Sequence, residues 1–386
     1  MSLHPLVGHE AVRASIARAA SAGVLPSSLL LHGPRGVGKQ HLAQWIARLT
    51  VCPNPTADGP CDVCGPCRMA LNLEHPDIHW YFPLPRPKGA SREKLAEALE
   101  RARLAELAER REYSLRPSGV DGVQAIYLGA IAGLRATAAK RPTMAPGPVF
   151  IVGQAESLVP QEASQEAANA LLKLLEEPPG QTRFILTSSE PGMLLPTIRS
   201  RTVPVHVPAL PAHEVRAFLD AHLELESRVS KWATDLSQGS PGRALAFLPE
   251  DGELGPLEAL RRRAFEIVRA ATAPAAGAGH AVAMGFPPAG ARALIDLFTF
   301  VEEWLRDLGA AAAGAETMVI HQDALSRLHQ LVSERSIEAV RVADAFTAVE
   351  RARELARGNV NPQLVVSGLI RDLRRSIRQS SLAGTS

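Results

Sequence analysis

Apolar and polar positions along the chain change period several times, and each change marks an element. Ala11 to Ala22 carries an amphipathic helical stripe, Ser28-Leu29-Leu30-Leu31-His32 is the short apolar run of a buried strand, and Lys39 to Leu49 returns to helical spacing. Ile78 to Phe82 is the next strand. Within Val120 to Lys140, Val123, Ile126, Tyr127, Ile131 and Leu134 share one helical face. A strand Val149 to Val152, a helix Gln161 to Glu177 stopped by Pro178-Pro179, and strands Phe184 to Thr187 and Val203 to Val207 follow. Strands alternating with helices predict an α/β fold whose mostly parallel sheet is covered on both faces. A small helical unit spans Ala212 to Leu248. Beyond the Pro/Gly-containing link Pro249 to Pro256 the chain reads as helices broken by the Ala/Gly/Pro stretch Ala273 to Gly290, with no strand signal. Ser380 to Ser386 is small and polar, and is expected to fray.

One segment interrupts the alternation. From Pro83 to Pro117, Pro-rich edges enclose Arg92 to Glu112, dense in Glu, Arg, Lys, Ala and Leu. The pattern is that of an inserted, exposed helix laced with i,i+4 ion pairs; contact with DNA or a partner through its arginines is the alternative.

Length and charge narrow the classes. At 386 residues the chain exceeds a single core, so two or three domains are expected. A formal net charge of +2 gives no global electrostatic reason to bind nucleic acid. No stretch reaches the roughly eighteen uninterrupted apolar residues of a spanning helix. The start, Met1-Ser2-Leu3-His4-Pro5, lacks a basic and apolar export signal, so a cytoplasmic location is expected.

All four cysteines lie between Cys52 and Cys67, at positions 52, 61, 64 and 67. Four thiolates satisfy a tetrahedral zinc ion, and the Cys-x2-Cys steps let successive ligands curl around it. With four protein ligands no position is left for a reacting water, which makes the expected zinc structural. Two disulfides, or redox work by Cys61 and Cys64, are the alternatives; a reducing compartment disfavours the first and the lack of a preceding thioredoxin-like strand the second.

The strand ending at His32 runs into Gly33-Pro34-Arg35-Gly36-Val37-Gly38-Lys39-Gln40. Strand, glycine loop and helix in that order are the setting of a phosphate-binding loop, in which Gly33, Gly36 and Gly38 let backbone N–H groups close on phosphates and Lys39 reaches the terminal ones. The motif normally ends in Ser or Thr, whose oxygen holds Mg²⁺; here it ends in Gln40. The strand Val149 to Val152 should deliver two carboxylates, one to orient the metal and one to activate water, but it runs into Gly153 and Gln154. Glu156 comes two residues late. Three defects together predict a nucleotide-binding fold without hydrolysis of its own.

Asn169-Ala170-Leu171-Leu172-Lys173-Leu174-Leu175-Glu176-Glu177-Pro178-Pro179, then Phe184 to Ser188, then Leu195-Pro196-Thr197-Ile198-Arg199-Ser200-Arg201, resemble the clamp-loader branch of the AAA+ ATPases. Val7-Gly8-His9, the phosphate loop, the four-cysteine insert, His75 to Trp80 and the helical last third extend the resemblance over nearly the whole chain. It implies a P-loop core at 1–208 with a zinc insert at 52–67 and a helical insertion at 83–117, a lid at 209–250 and an all-α collar at 251–386. It also implies a place in a hetero-pentameric ring with gamma/tau and delta subunits that loads a sliding clamp on primed DNA. In that family Ser200-Arg201 matches the motif presenting an arginine finger to ATP on the neighbouring subunit; Thr202 replaces its usual Cys. Thr187 or Ser188 matches the polar sensor, and Gly239 to Arg243 the lid's second sensor, with Arg243 displaced by an extra Gly. Branch members with intact loops are ATPases, whereas eroded motifs mark a subunit that acts on its neighbour. A self-sufficient ATPase tolerating Gln40 and Gln154, and a stand-alone nucleotide-sensing or DNA-binding module, are the competing readings.

Overall fold

The computed structural model describes residues 6–87, 89, 94–113, 115, 124–158, 166–250, 252–275, 277–358 and 360–378. They form two compact units, Met1–Leu225 with Ser237–Leu245, and Glu226–Leu236 with Ala246–Ser386.

The first unit is built on strands β1 (Ser28–His32), β2 (Ile78–Tyr81), β5 (Val149–Val152), β6 (Arg183–Ser188) and β7 (Val203–His206), in the order β2-β5-β6-β1-β7. Every pair is parallel, with Ser28 opposite Phe184, Leu29 opposite Val203 and Ile78 opposite Val149. A two-residue antiparallel ribbon joins β3 (Leu84–Pro85) to β4 (Gln124–Ala125). Alternate side chains feed two cores, as the period of a strand requires. Leu29, Leu31, Val149, Ile151 and Ile185 point to one face. Leu30, Phe150, Val152, Phe184 and Leu186 point to the other. Helices α1 (Glu10–Ser21) and α2 (Lys39–Val51) pack on the first face, and α5 (Leu128–Ala138) and α6 (Glu166–Glu176) on the second. The short helices α3 (Gly65–Leu71) and α7 (Pro196–Arg199) sit in connections, and α8 (Ala212–His222) follows the last strand.

The insertion contains α4 (Leu95–Glu112), but it is not a solvated helix. The expected pairs Arg101 with Glu97 and Arg110 with Glu106 are present. Leu99, Arg103 and Leu107, four residues apart, form a buried stripe, and Leu107 joins the core on the α2 face. Arg103 donates to the Trp80 carbonyl at 3.2 Å and lies over the Tyr81 ring, while Arg110 lies over Phe82 and Trp80. Long charged side chains thus cover the aromatic end of β2 with their apolar stems and planar heads. Helix α5 begins at Leu128, not at Val120: Ile126 and Tyr127 precede it, Gln124 and Ala125 are strand, and Val123 lies outside the described residues. The first turns expected for α6, from Gln161, and the terminal Ser380 to Ser386 also lie outside them.

In the second unit, α11 (Pro256–Thr272), α12 (Gly277–Met284), α13 (Leu294–Ala312), α14 (Leu325–Arg335), α15 (Ala339–Arg357) and α16 (Pro362–Arg378) surround one core that includes Phe298, Val301, Leu305 and Leu369. Helix α9 (Ser227–Ser237) belongs to the second unit up to Leu236, and α10 (Pro241–Phe247) to the first up to Leu245. The stretch Ala273 to Gly290, expected to break helices, contains α12. Its small residues serve close packing: a Cβ on Gly279 would stand 2.8 Å from a methyl of Ile370. No helix among the described residues is long and apolar enough to cross a membrane.

Asp77, at the mouth of β2, ties down the loop that leads into β5. It is 3% exposed and accepts the N–H groups of Thr143, Met144 and Ala145 at 2.7 to 2.8 Å. Burial alone would raise its pKa, but those three donors and nearby His75 hold it below the ordinary value. Asp77→Ala is expected to destabilise the chain by about 2–4 kcal/mol in denaturant unfolding. Because the folded-state pKa is depressed, the contribution is complete above the ordinary carboxylate value of about 4 and is lost as pH falls through the lower folded value, so the penalty should shrink in acid.

Candidate functional site

The C-terminal ends of β1, β5 and β6 converge, and the loops leaving them form the site. After β1 the chain turns through Gly33 (φ 156°), Gly36 (φ 81°) and Gly38 (φ 98°) into α2. A Cβ on Gly33 would stand 2.0 Å from the Val207 carbonyl oxygen, so only glycine lets the loop lie against the end of β7. Gly36 meets the second-sensor segment in the same way: its carbonyl accepts the Gly242 N–H at 2.9 Å, and a Cβ there would stand 2.9 Å from the Arg243 nitrogen. This segment touches the loop through backbone.

Lys39 is buried and folded over its own loop. Its ammonium donates to the carbonyls of Gly33 (2.8 Å) and Pro34 (2.6 Å) and to Ser189 Oγ (3.0 Å). Burial pulls its pKa down to about 8, opposed by the Glu156 carboxylate and reinforced by Arg35. The polar group facing the lysine is therefore Ser189, which sequence reasoning missed in favour of Thr187 or Ser188. Those two are buried, Thr187 Oγ1 accepting the Gln154 N–H at 3.1 Å and Ser188 Oγ the Glu190 N–H at 3.1 Å. Ser189 lies one residue past β6, where strand periodicity no longer says which way a side chain points.

The degenerate positions come together. A Cβ on Gly153 would stand 3.2 Å from both Cδ and Nε2 of Gln40, so the amide occupies the space a side chain at 153 would need. Neither residue offers a hydroxyl or carboxylate oxygen, and Mg²⁺ does not fit this arrangement. Gln154 adopts a positive φ of 50°. Glu156 lies in a 3₁₀ turn, Ala155–Leu158, and its Oε1 accepts the Ser189 N–H at 3.2 Å. The late carboxylate thus holds the loop after β6 and faces Lys39.

Cys52, Cys61, Cys64 and Cys67 form one cluster, their sulfurs all within 4.8 Å of one another. A zinc ion with Zn–S bonds of about 2.3 Å places its sulfurs about 3.8 Å apart, so the set fits a tetrahedral site after slight contraction. The Cys64 sulfur already accepts the Cys67 N–H, capping α3. Gly59 lies flat on Trp45 of α2, and Arg48 pairs with Asp62 at 2.7 Å, so the knuckle is docked on the helix that carries the phosphate loop's lysine.

Ser200 and Arg201 follow α7, both exposed. The Arg201 guanidinium pairs with Glu176 at 2.7 Å and donates to the Thr197 carbonyl at 3.2 Å. Exposed pairs of this kind are worth about 0–1 kcal/mol, so the side chain is oriented cheaply and released cheaply. Arg199 and Ser200 line an open groove of about 420 Å³ with Leu30, His32, Pro191, Pro196 and Pro204.

The family described as "DNA polymerase III, delta subunit" matches residues 8–211. Among relatives, a protein named DNA polymerase III subunit delta' from Pseudomonas aeruginosa is 34% identical over 175 residues, covering 45% of this chain and 40% of that protein. The delta' subunit of Escherichia coli is 29% identical over 224 residues, covering 58% and 55%. The tau subunit of Salmonella typhimurium is 24% identical over 367 residues, covering 91% of this chain and 47% of that protein. The chain spans about half the length of these curated relatives.

Metal analysis of the purified protein is expected to find about one thiophilic divalent ion per chain. Cys64→Ser should lower that content and the thermal midpoint together. Four freely titratable thiols in native protein that carries no metal would remove the site.

Proposed function

The chain belongs to the DNA polymerase III delta-subunit family, and on that premise we propose that it is the delta prime type of subunit of a bacterial clamp loader. In this reading it does not hydrolyse ATP. It takes its place in a hetero-pentameric ring with gamma/tau and delta subunits, and its Arg201 acts on ATP held by a neighbour while the ring loads a sliding clamp on primed DNA. Residues 209–250 serve as the lid and 251–386 as the collar, the cysteines hold structural zinc, and the protein works in the cytoplasm.

The observation that carries the reading is the packing of Gln40 on Gly153. Two positions expected to hold a metal are occupied by neighbouring residues that bring neither a hydroxyl nor a carboxylate, which supports a site without hydrolysis. Arg201 meanwhile remains on the surface, held only by Glu176 and its own turn. A planar guanidinium so placed can donate two parallel hydrogen bonds to a γ-phosphate and stabilise charge that develops there in the transition state. Ser200 orients it: its hydroxyl donates to the Thr197 carbonyl at 3.1 Å and lies 3.4 Å from Nη1.

A catalytically active gamma/tau-type ATPase is the second reading, favoured by the tau match over 91% of this chain. The two differ in what the isolated chain does. Under the leading reading the pure protein has no Mg²⁺-dependent ATP turnover, and Lys39→Ala changes nothing. Turnover that Lys39→Ala abolishes would replace it with the second.

In a reconstituted ring, Arg201→Ala is expected to lower turnover at the site it serves by on the order of 10³ to 10⁵, without dissociating the ring in gel filtration. Arg201→Lys should recover little, since an ammonium lacks the planar fork. Undiminished turnover by either substituted ring would sink the finger assignment.

A further inference from the structure

Beyond the end of β5, hydrogen-bond donors gather where a metal-binding oxygen is expected. The point where a Cβ on Gly153 would stand is 3.2 Å from Gln40 Nε2 and 3.3 Å from Trp80 Nε1. Trp80 is 6% exposed, and its indole N–H is buried without a hydrogen-bond partner. Arg110, from the inserted helix α4, reaches the same amide: its Nη1 donates to Gln40 Oε1 at 3.4 Å. The guanidinium is held against the rings of Phe82 (3.9 Å) and Trp80 (4.6 Å), and Glu106 accepts from its Nε at 2.9 Å. One residue before Gln40 stands Lys39, whose ammonium donates to the carbonyls of Gly33 and Pro34 and to Ser189 Oγ.

We propose that this phosphate loop is a metal-independent site for the polyphosphate chain of a nucleotide, with the Arg110 guanidinium taking the place of the divalent cation. A cation arriving at Gly153 would meet a guanidinium, an indole N–H and an amide, with neither the hydroxyl oxygen missing at 40 nor the carboxylate missing at 153. A phosphate oxygen there would meet the Arg110 guanidinium, the unpartnered Trp80 N–H and the Gln40 Nε2 group. Arginine is suited to this, since it is weakly hydrated, tolerates stacking on aromatic rings, and presents N–H groups in a fixed fork that matches phosphate. Glu106 and Glu156 are the acids facing the two cations, and each already accepts an N–H, from Arg110 and Ser189 respectively. Burial outweighs Glu106 at Arg110 and Glu156 at Lys39, drawing both pKa values down, so a bound polyanion would relieve both cations. The insertion that sequence reads as a charged surface helix thereby gains a role at the nucleotide site. The inference does not depend on Arg201 acting on a neighbour.

The test is titration of the purified full chain with ATP, ADP and inorganic tripolyphosphate, each in EDTA and in excess Mg²⁺, followed by calorimetry. ATP should bind in EDTA at least as tightly as in Mg²⁺, and more tightly than tripolyphosphate. Arg110→Gln should weaken binding in EDTA by about tenfold to a hundredfold, the scale of a lost charge-assisted hydrogen bond, and Arg110→Lys by less. Binding only with Mg²⁺, no binding in either condition, binding of tripolyphosphate alone, or wild-type affinity in a folded Arg110→Gln protein would each overturn the proposal. Should Arg110→Gln not fold, the wild-type comparison with and without metal decides by itself.

Discussion

Parallel pairing of β1, β5 and β6 is the constraint from which the site follows. Because the three strands run the same way in fixed register, their C-terminal ends arrive together, and the first residues beyond them are forced into contact. Gly33 leaves β1, Gly153 leaves β5 and Ser189 leaves β6, and the lysine and amide at the start of α2 reach across all three. Gly33, Gly153 and Ser189 are far apart in sequence. Their meeting depends on buried apolar runs such as Val149 to Val152, which pack on both faces and leave the sheet no freedom to shift by a residue.

That geometry brings separate substitutions together. Read singly, Gln40 is a missing hydroxyl and Gly153 a missing carboxylate. In the fold they are neighbours: a Cβ at 153 would stand 3.2 Å from the Gln40 amide, so a side chain there would require the amide to shift by a few tenths of an ångström. The same closeness explains the glycines at 33 and 36, where backbone from Val207 and from Gly242 lies against the loop. The family match runs from residue 8 to residue 211, so the loop that ends in Gln40 sits within a family whose relatives are named as DNA polymerase III subunits.

The strand positions, the glycine loop and the cysteine set were legible in the sequence because each is local: a run or a spacing. Three elements were misread for physical reasons. Helix α4 carries charge on most of its surface, yet a stripe of Leu99, Arg103 and Leu107 buries it against aromatic side chains of β2, and arginine disguises that stripe because its stem is apolar and its head can stack. Residues from Ile126 fit a helical face by spacing alone, but Gln124 and Ala125 pair with β3 instead. The glycines and prolines around α12 lower the helix propensity of the stretch despite its alanines, and contact with α16 outweighs them.

Sequence alone determined the class of the fold and which residue types stand at the glycine loop and beyond β5, since both are local features of a strand, a loop and the turn after it. It also placed a candidate metal cluster and a candidate arginine by spacing. The tertiary structure decided what those residues face: that Lys39 bonds its own loop and Ser189, that Gln40 lies against Gly153, that Glu176 holds Arg201, and that Arg110 of an inserted helix reaches Gln40 at the end of the glycine loop. Such contacts join residues up to 150 positions apart, and they are set by strand order and helix packing, which no local pattern encodes.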